Sequence, residues 1–403
     1  VWMRYRTLAK MTVTMQLAEE AVALSGDWTT AETRVFFAPG RANLLGAHMD
    51  YNGGWVMPVA LSRGTCAAIT PTKSGLLRLR SAQFPEEFIS VPLKDLRPGR
   101  TQGWSAYAEG AIHVAMQAWG GLSGLDVALA ADLPMAKGLS SSASVESVMV
   151  FALSHLLDVN PSVDEMIRLA HAAETEYVGV RCGILDQTAI FLAKENFVLR
   201  FDCTELTREY FPMDATKVLV AVMDTGVARE LASSAFNARV AECTKALALV
   251  QERVPGIFCL RDVKRADLKA HADVLPPVLK RRVQHVVGEV ERTEFGARAL
   301  GRGDLAGFGA SMTAAHDSLR DLFEVSTPEL NAMVEAAVAS PGCYGARLTG
   351  AGFGGCVVAL VNPKDASGFE SSVCEAYESN TGRSTKVQWF QPSGGPVECF
   401  MNP

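Results

Sequence analysis

A short run of glycine and serine has the composition of a phosphate-binding loop. Gly138 is followed closely by Ser140, Ser141 and Ser142, between an apolar segment typical of a strand and a longer one typical of a helix. Glycine permits a tight turn, and the serines would stand at the helix N-terminus, where unpaired N–H groups and the helix dipole favour an anion. An ordinary N-cap is the alternative interpretation, but the combination favours phosphate. We term residues 134–144 the serine loop.

A second glycine-rich run predicts a different structure. The pattern G-x-x-x-x-G-K-[ST] does not occur in the sequence, whereas Gly350, Gly352 and Gly355 match G-x-G-x-x-G. A dinucleotide-binding motif would open a helix at this point, but residues 356–361 are strand-like. We therefore predict a tight hairpin that packs close to the serine loop.

Two further segments carry polar side chains that could do chemistry. Residues 40–54 place arginine, asparagine, histidine and aspartate in a turn between β-rich runs, and such a set can bind a polyol through directional hydrogen bonds. An ordinary polar loop with Asn-Gly turns is the alternative. Asp186 lies in an apolar stretch downstream of Glu174, which is unusual for an acid, although a helix cap would also account for it.

The elements that must position these residues alternate in type along both halves of the chain, which predicts an α+β fold. The predicted strands lie at residues 35–37, 55–60, 76–79, 88–91, 125–130, 197–201, 217–223, 346–349, 356–361 and 386–390. The predicted helices lie at residues 104–119, 143–157, 163–177, 230–252, 277–300, 305–322 and 328–338. A polar, irregular segment near residues 203–216 predicts the division into an N-terminal domain, 12–205, and a C-terminal domain, 206–403.

Composition excludes several classes of protein. A chain of 403 residues suits two domains, and a net charge of −6 offers no global footprint for nucleic acid or an anionic membrane. The nine cysteines are odd in number and form no C-x-x-C pair, which argues against a disulfide framework or zinc site and favours a reducing, cytoplasmic location. No run is long and apolar enough for a membrane helix. We interpret residues 1–11 as an appended or disordered start, and expect a monomer or weak homodimer.

The motifs, in their order along the chain, resemble those of the galactokinase family of the GHMP kinases. The similar segments are the sugar signature at residues 40–54, the serine loop, and residues 182–187, 316–330 and 347–355. They extend over nearly the whole chain. The resemblance implies a two-domain GHMP kinase fold, with an N-terminal domain similar to ribosomal protein S5 and a ferredoxin-like, α+β C-terminal domain.

The resemblance also implies a reaction and the residues that perform it. ATP and Mg²⁺ would be used to phosphorylate the anomeric hydroxyl of a hexose, with Asp186 as the catalytic carboxylate and Arg41 beside it. Glu174 would bind Mg²⁺ with one of the serines, for which we take Ser141. The residues expected to bind the sugar are Ala47, His48, Asp50, Gly183 and Phe236. The residues expected to bind ATP are Trp104, Gly138, Ser140, Ser141 and Ser142.

Two positions depart from the family pattern. Where this chain has Ala47, the family has a glutamate that contacts the C6 hydroxyl of galactose. Its loss would leave that hydroxyl unpaired, at about 1–3 kcal/mol, and would remove a charge that repels a C6 carboxylate. The family also has tyrosine where this chain has Phe236.

The substrate expectation follows from the first departure. Ala47, together with residues 80–84 and 183–187, makes the chain more similar to the galacturonokinase branch, so we expect D-galacturonic acid to be converted to its 1-phosphate. Arg181 is a candidate partner for the carboxylate. Galactokinase activity on D-galactose is the alternative, and a non-catalytic sugar sensor is the second alternative. A GHMP kinase for a non-sugar substrate is disfavoured by residues 40–54.

Overall fold

Two β-sheets, each covered by helices, organise the chain. The structure, a computed structural model, describes residues 2–133, 138–180, 182–227, 232–271 and 273–400, with side chains from residue 14 onward apart from 232 and 233. The strands are β1 (Arg34–Leu45), β2 (Trp55–Pro71), β3 (Leu76–Ser81), β4 (Ile89–Pro92), β5 (Leu125–Ala131), β6 (Phe197–Asp202), β7 (Arg208–Pro212), β8 (Leu219–Asp224), β9 (Cys343–Leu348), β10 (Cys356–Val361), β11 (Val387–Phe390) and β12 (Val397–Cys399). The helices are α1 (Trp2–Ser25), α2 (Ser105–Trp119), α3 (Ser141–Leu156), α4 (Val163–Ala172), α5 (Leu185–Phe191), α6 (Ala232–Gln251), α7 (Arg265–Ala270), α8 (Pro277–Gly301), α9 (Leu305–Ser318), α10 (Pro328–Ala339) and α11 (Ala366–Thr381).

The first sheet has the strand order β12-β1-β2-β5-β3-β4, and β6 joins the start of β2 to β7. Side chains alternate across it, as the pleat requires. Val35 and Phe37 on β1 pack towards α1, whereas Phe36 packs against Phe151 on α3. Arg34 on β1 donates two hydrogen bonds, of 2.7 and 2.8 Å, to Glu398 on β12. The long strands β1 and β2 thus form a rigid base from which the loop between them projects.

The second sheet has the order β11-β8-β10-β9. Helix α9 lies so close to β9 that a Cβ added at Gly345 would stand 1.9 Å from the carbonyl oxygen of Gly309. Only glycine at both positions permits this contact between backbones. The hairpin between β9 and β10 is therefore fixed against a helix, and it carries residues 349–355 towards the first sheet.

The two sheets divide the chain differently from the predicted boundary at residues 205/206. Strand β7, at residues 208–212, still pairs with β6 of the first sheet, and β8 at 219 opens the second. Strand β12 then returns to the first sheet and pairs with β1. If the chain is divided by sheets, the boundary falls between residues 212 and 219, and residues 397–399 belong again to the first sheet.

Most of the predicted elements are present, and the α+β class is confirmed. The expected strand pair is β3 with β4, and the glycine-rich segment is the β9–β10 hairpin. Two predicted helices end instead in single π-helical turns, Ala173–Val178 and Leu319–Phe323, a feature that often marks functional sites. The sequence interpretation missed α1, α5, α7, α11, β7 and β12. Residues 2–11, interpreted as part of an appended or disordered start, belong to α1.

Candidate functional site

A cavity of about 670 Å³ lies where the two halves of the chain meet. The first half contributes the serine loop and the turn after β1, and the second half contributes the N-terminal part of α6 and the β9–β10 hairpin. Most of the predicted site residues lie together in its wall. They are Arg41, Ala47, His48, Asp50, Gly138, Ser140, Ser141, Ser142, Gly183, Asp186 and Phe236.

The serine loop wraps against β1 before α3 begins. Gly138 and Ser140 both have positive φ, of 81° and 59°, and Ser140 is the N-cap of α3. The backbone N–H of Arg41 donates to the carbonyl of Leu139 at 3.2 Å. Because the loop is pinned to a central strand, its serines face the cavity at the N-terminus of a long helix, an arrangement that favours an anion. Residues 134–137 of the loop lie outside the described residues.

Asp186 is held from two sides in the first turn of α5. Arg41 donates to Oδ1 from Nε at 2.9 Å and from a terminal nitrogen at 2.5 Å. Ser140 donates to Oδ2 at 2.5 Å. Arg41 also donates to the carbonyl of Gly138 at 2.8 Å, so one guanidinium ties the carboxylate to the serine loop. The carboxylate is thus fixed in position with a cation beside it, as phosphoryl transfer requires.

A second group of acids lies next to Asp186. Gln187 donates to Glu146 at 2.9 Å and to Glu174 at 2.7 Å, and Ser142 donates to Glu174 at 3.1 Å. Burial and then the charge of Glu174 raise the pKa of Glu146, and burial and then the charge of Asp186 raise the pKa of Glu174. Both carboxyls therefore resist ionisation, chiefly because they are buried and secondarily because another acid lies nearby.

The two serines of the expected cation site differ in their contact with Glu174. Ser142, not Ser141, contacts Glu174, because Ser142 lies on the side of the first turn of α3 that faces the π-helical turn holding Glu174. The contact favours Ser142 as the serine partner. Both residues remain in the wall of the cavity.

The turn after β1 carries the predicted sugar-binding residues, and we term residues 46–54 the sugar loop. Asp50 approaches Gly183 so closely that a Cβ at 183 would stand 2.2 Å from its carboxylate oxygen. Burial and then the charge of Asp186 raise the pKa of Asp50 to about 6. Nδ1 of His48 is hydrogen-bonded to the Tyr51 hydroxyl at 2.9 Å, and the ring centroids of His48 and Phe236 are 5.8 Å apart. An apolar aromatic face and two polar groups thus line one end of the cavity.

The sequence interpretation missed a buried layer of charge beneath the sugar loop. Helix α8 presents His285, Glu289 and Arg292 on one face, and β9 contributes Arg347, which is fully buried and also lines the cavity. Arg292 donates to Glu289 at 2.7 Å. Burial alone would raise the pKa of Glu289, but the charge of Arg292 and the other nearby cations lowers that pKa to about 2. The only sequence signal for this layer was the i, i+4, i+7 spacing of the three charged or polar residues on α8, and that spacing ordinarily indicates a helix face exposed to solvent.

Glu174 contacts Ser142 but is not in the wall of the cavity among the described residues. Two other predicted residues lie elsewhere or are not described. Trp104 is absent from the wall of the cavity among the described residues. One face of its ring stacks on Phe84, with centroids 5.6 Å apart and planes 6° from parallel, and its indole N–H donates to Glu87 at 2.8 Å. Its contact with adenine stays a prediction. Arg181, the candidate partner for a C6 carboxylate, lies outside the described residues.

Comparison with known proteins decides the family. The model of the GHMP kinases N-terminal domain matches residues 106–194, that of the GHMP kinases C-terminal domain matches 297–379, and the galactokinase galactose-binding signature matches 28–71. A galactokinase of Roseiflexus sp. (strain RS-1) is 40% identical over 91% of this chain and 93% of its own length. The chain belongs to the galactokinase family. Like other members, it is a kinase, a phosphotransferase with an alcohol group as acceptor.

Solved structures agree with this assignment. A Lactococcus lactis galactokinase in complex with galactose superposes with a TM-score of 0.89 and 34% identity, over 96% of this chain and 99% of that one. A mevalonate kinase, at 18% identity and a TM-score of 0.64, shares the fold alone. The GHMP kinase fold is therefore confirmed. The similar proteins are galactokinases, so the finer resemblance to the galacturonokinase branch is not shown.

Two features are absent from the described residues. None of the helices there combines the length and the hydropathy that crossing a bilayer demands. Within the same residues, no three or more histidine, cysteine or acidic side chains converge as a metal-binding group.

Proposed function

We propose that this member of the galactokinase family transfers the γ-phosphoryl group of ATP to the anomeric hydroxyl of D-galactose. The observation that carries the proposal is the position of Asp186. Arg41 and Ser140 hold it at the meeting point of the serine loop, which suits a triphosphate, and the sugar loop, which suits a hexose. The galactokinases similar to it over most of their length support D-galactose as the acceptor.

In this proposal each residue has a definite task. Asp186 accepts a hydrogen bond from the C1 hydroxyl and orients its oxygen towards the γ-phosphorus. Arg41 stabilises negative charge that develops between the acceptor and the phosphoryl group. Ser140, Ser141 and Ser142 surround the phosphates at the N-terminus of α3. Asp50 accepts from a ring hydroxyl, and Phe236 covers the apolar face of the sugar.

The acids near the serine loop fit Mg²⁺, which is typical of this family. Glu174 and Ser142 would hold it, since Mg²⁺ prefers oxygen ligands and often uses one or two protein groups with substrate phosphates. Oε1 of Glu146 is buried without a hydrogen-bond partner. Burial, and then neighbouring acids, raise the pKa values of Glu146 and Glu174, so a bound cation would favour their ionised forms. Bound Mg²⁺ would neutralise charge on the phosphates.

One observation favours D-galacturonic acid as a second candidate substrate. Ala47 lines the cavity with no charge of its own, and nearby Arg292 and Arg347 together face one buried carboxylate, Glu289. Arg347 stands 3.9 Å from that carboxylate. This local excess of one positive charge would suit an anionic group at C6.

A direct comparison of the two sugars tests the proposal. We expect kcat/KM for D-galactose to exceed that for D-galacturonate by tenfold or more, about 1.4 kcal/mol, with ADP release and 1-phosphate formation as the measurements. In Ala47→Glu the ratio should rise about tenfold further, because the new carboxylate repels a C6 carboxylate.

Ala47→Gln is the matched control, since it adds the same bulk without charge. If wild type prefers D-galacturonate tenfold, the second candidate replaces the first. Equal ratios in the Glu and Gln variants would show that charge at position 47 does not select the substrate. ATP turnover with either sugar excludes a non-catalytic sensor.

Sugar use should also depend on the ionisation of Asp50. Its pKa is raised to about 6, so the carboxylate is charged above that pH and loses its full acceptor capacity below it. We expect kcat/KM for the sugar to fall roughly tenfold per pH unit below about pH 6. Asp50→Asn should lower kcat/KM at pH 8 and remove this acid limb. An unchanged acid limb in the variant would assign the titration to another group.

A further inference from the structure

The backbone of the sugar loop is held by a side chain from the other half of the chain. Oε1 of Glu289, on α8, accepts hydrogen bonds from the backbone N–H groups of Gly46 at 2.8 Å and Ala47 at 3.3 Å. His285, one turn earlier on α8, lies 3.4 Å from the carbonyl oxygen of Ala47 through Nε2. Successive N–H groups that converge on one carboxylate form an anion-binding turn, so Glu289 occupies an anion site built from the loop itself.

This turn has a conformation that needs support. Gly46 has a φ of 82° and His48 a φ of 60°, and positive φ is uncommon for a residue with a side chain. Such conformations persist only where the surrounding structure determines them. Position 48 contributes to the wall of the cavity, so whatever fixes the turn also fixes where that side chain stands.

Helix α8 cannot move away from the loop without unpacking. A Cβ added at Gly296, two turns after Glu289, would stand 2.5 Å from Leu45. Both oxygens of Glu289 are used, because Oε2 accepts from Arg292 at 2.7 Å while Oε1 accepts from the loop. Burying the Glu289 carboxylate contributes little to stability by itself, because desolvation offsets most of its attraction to Arg292. Its hydrogen bonds to the loop give it a second role.

We propose that Glu289 is a positioning residue for the sugar: it sets the turn at residues 46–48 and so determines sugar affinity without touching ATP. The proposal rests on the proposed sugar kinase function. It assigns a task to a residue outside the sugar signature, in the half of the chain that does not carry that signature.

The test is Glu289→Gln, with Glu291→Gln as the matched control. Glu291 lies on the same helix and pairs with Arg265 on the exposed surface. In Glu289→Gln we expect KM for the sugar to rise about tenfold, since a neutral acceptor weakens bonds that a charged one makes strongly. KM for ATP should stay within about twofold of wild type. Amide hydrogen exchange at residues 46 and 47 should be faster than in the control.

A double variant separates positioning from general stability. Glu289→Gln with Arg292→Gln removes the half-buried arginine that the single variant leaves without its carboxylate, so its melting temperature should recover in part, while KM for the sugar should stay raised. The proposal is overturned if sugar KM and amide exchange match the Glu291→Gln control. It is also overturned if both KM values rise together and recover with stability. If wild type phosphorylates no hexose, the proposed function fails, and amide exchange alone still reports whether Glu289 fixes the turn.

Discussion

Replacing Asp186 by asparagine is expected to lower kcat about 10³-fold, roughly 4 kcal/mol in the barrier. The amide can still occupy the site, but it cannot accept the proton of the sugar hydroxyl or balance the charge of Arg41. Because the sugar loop and the serine loop are untouched, the dissociation constants of sugar and ATP should stay within about threefold. Stopped assays of the 1-phosphate and calorimetric titration of each substrate measure the two quantities separately.

Asp202→Asn is the matched control for this variant. Asp202, like Asp186, is an aspartate bonded to an arginine, Arg261 at 2.5 Å, but it is fully buried and is not in the wall of the cavity. We expect it to lose stability and keep kcat. If Asp186→Asn retained kcat within tenfold, Asp186 would only orient the acceptor, and Arg41 with the serine loop would supply most of the acceleration.

Replacing Glu174 by glutamine is the second large effect. We expect kcat/KM for ATP to fall about 100-fold at moderate Mg²⁺, because the variant loses the charged oxygen that Ser142 and Gln187 hold in place. The Mg²⁺ activation curve should shift to higher concentration. Binding of Mn²⁺ in the presence of a non-hydrolysable ATP analogue, followed by electron paramagnetic resonance, should weaken to match.

Glu176→Gln provides the comparison, since Glu176 lies in the same π-helical turn with an exposed side chain. It should behave as wild type in both measurements. Equal cation binding in the two variants would remove Glu174 from the metal site, and would leave the buried acids as a structural group alone.

The parts of the site predicted from sequence are those whose chemistry is local. Gly138 and the serines predict an anion site because the residues that form the turn, the start of the helix and the hydroxyl groups are neighbours in the chain. Which serine meets Glu174 was not predictable in the same way, since it depends on how α3 is rotated against the π-helical turn. Similarly, the indole of Trp104 stacks on Phe84, which is twenty residues away in the chain, and no local sequence pattern indicated this contact.

Glu289 and Arg347 show where sequence reasoning fails. On a predicted amphipathic helix, charged residues are expected to face water, and only the tertiary packing of α8 under the sugar loop reverses this. Two strands of the first sheet were missed for a related reason. Strands β7 and β12 are short, and their pairing with the first sheet is decided by partners far along the chain rather than by their own composition.

The pairing of β12 with β1 has a consequence for how the protein is made. Arg34 and Glu398, which join the two strands, are 364 residues apart, and at about 5–20 residues per second a ribosome needs roughly 20 to 70 s to cover that interval. During that time the edge of β1 that pairs with β12 is open. An open strand edge can pair with a strand of another chain. A nascent chain therefore passes through a vulnerable interval, and premature termination just before residue 397 would make that interval permanent.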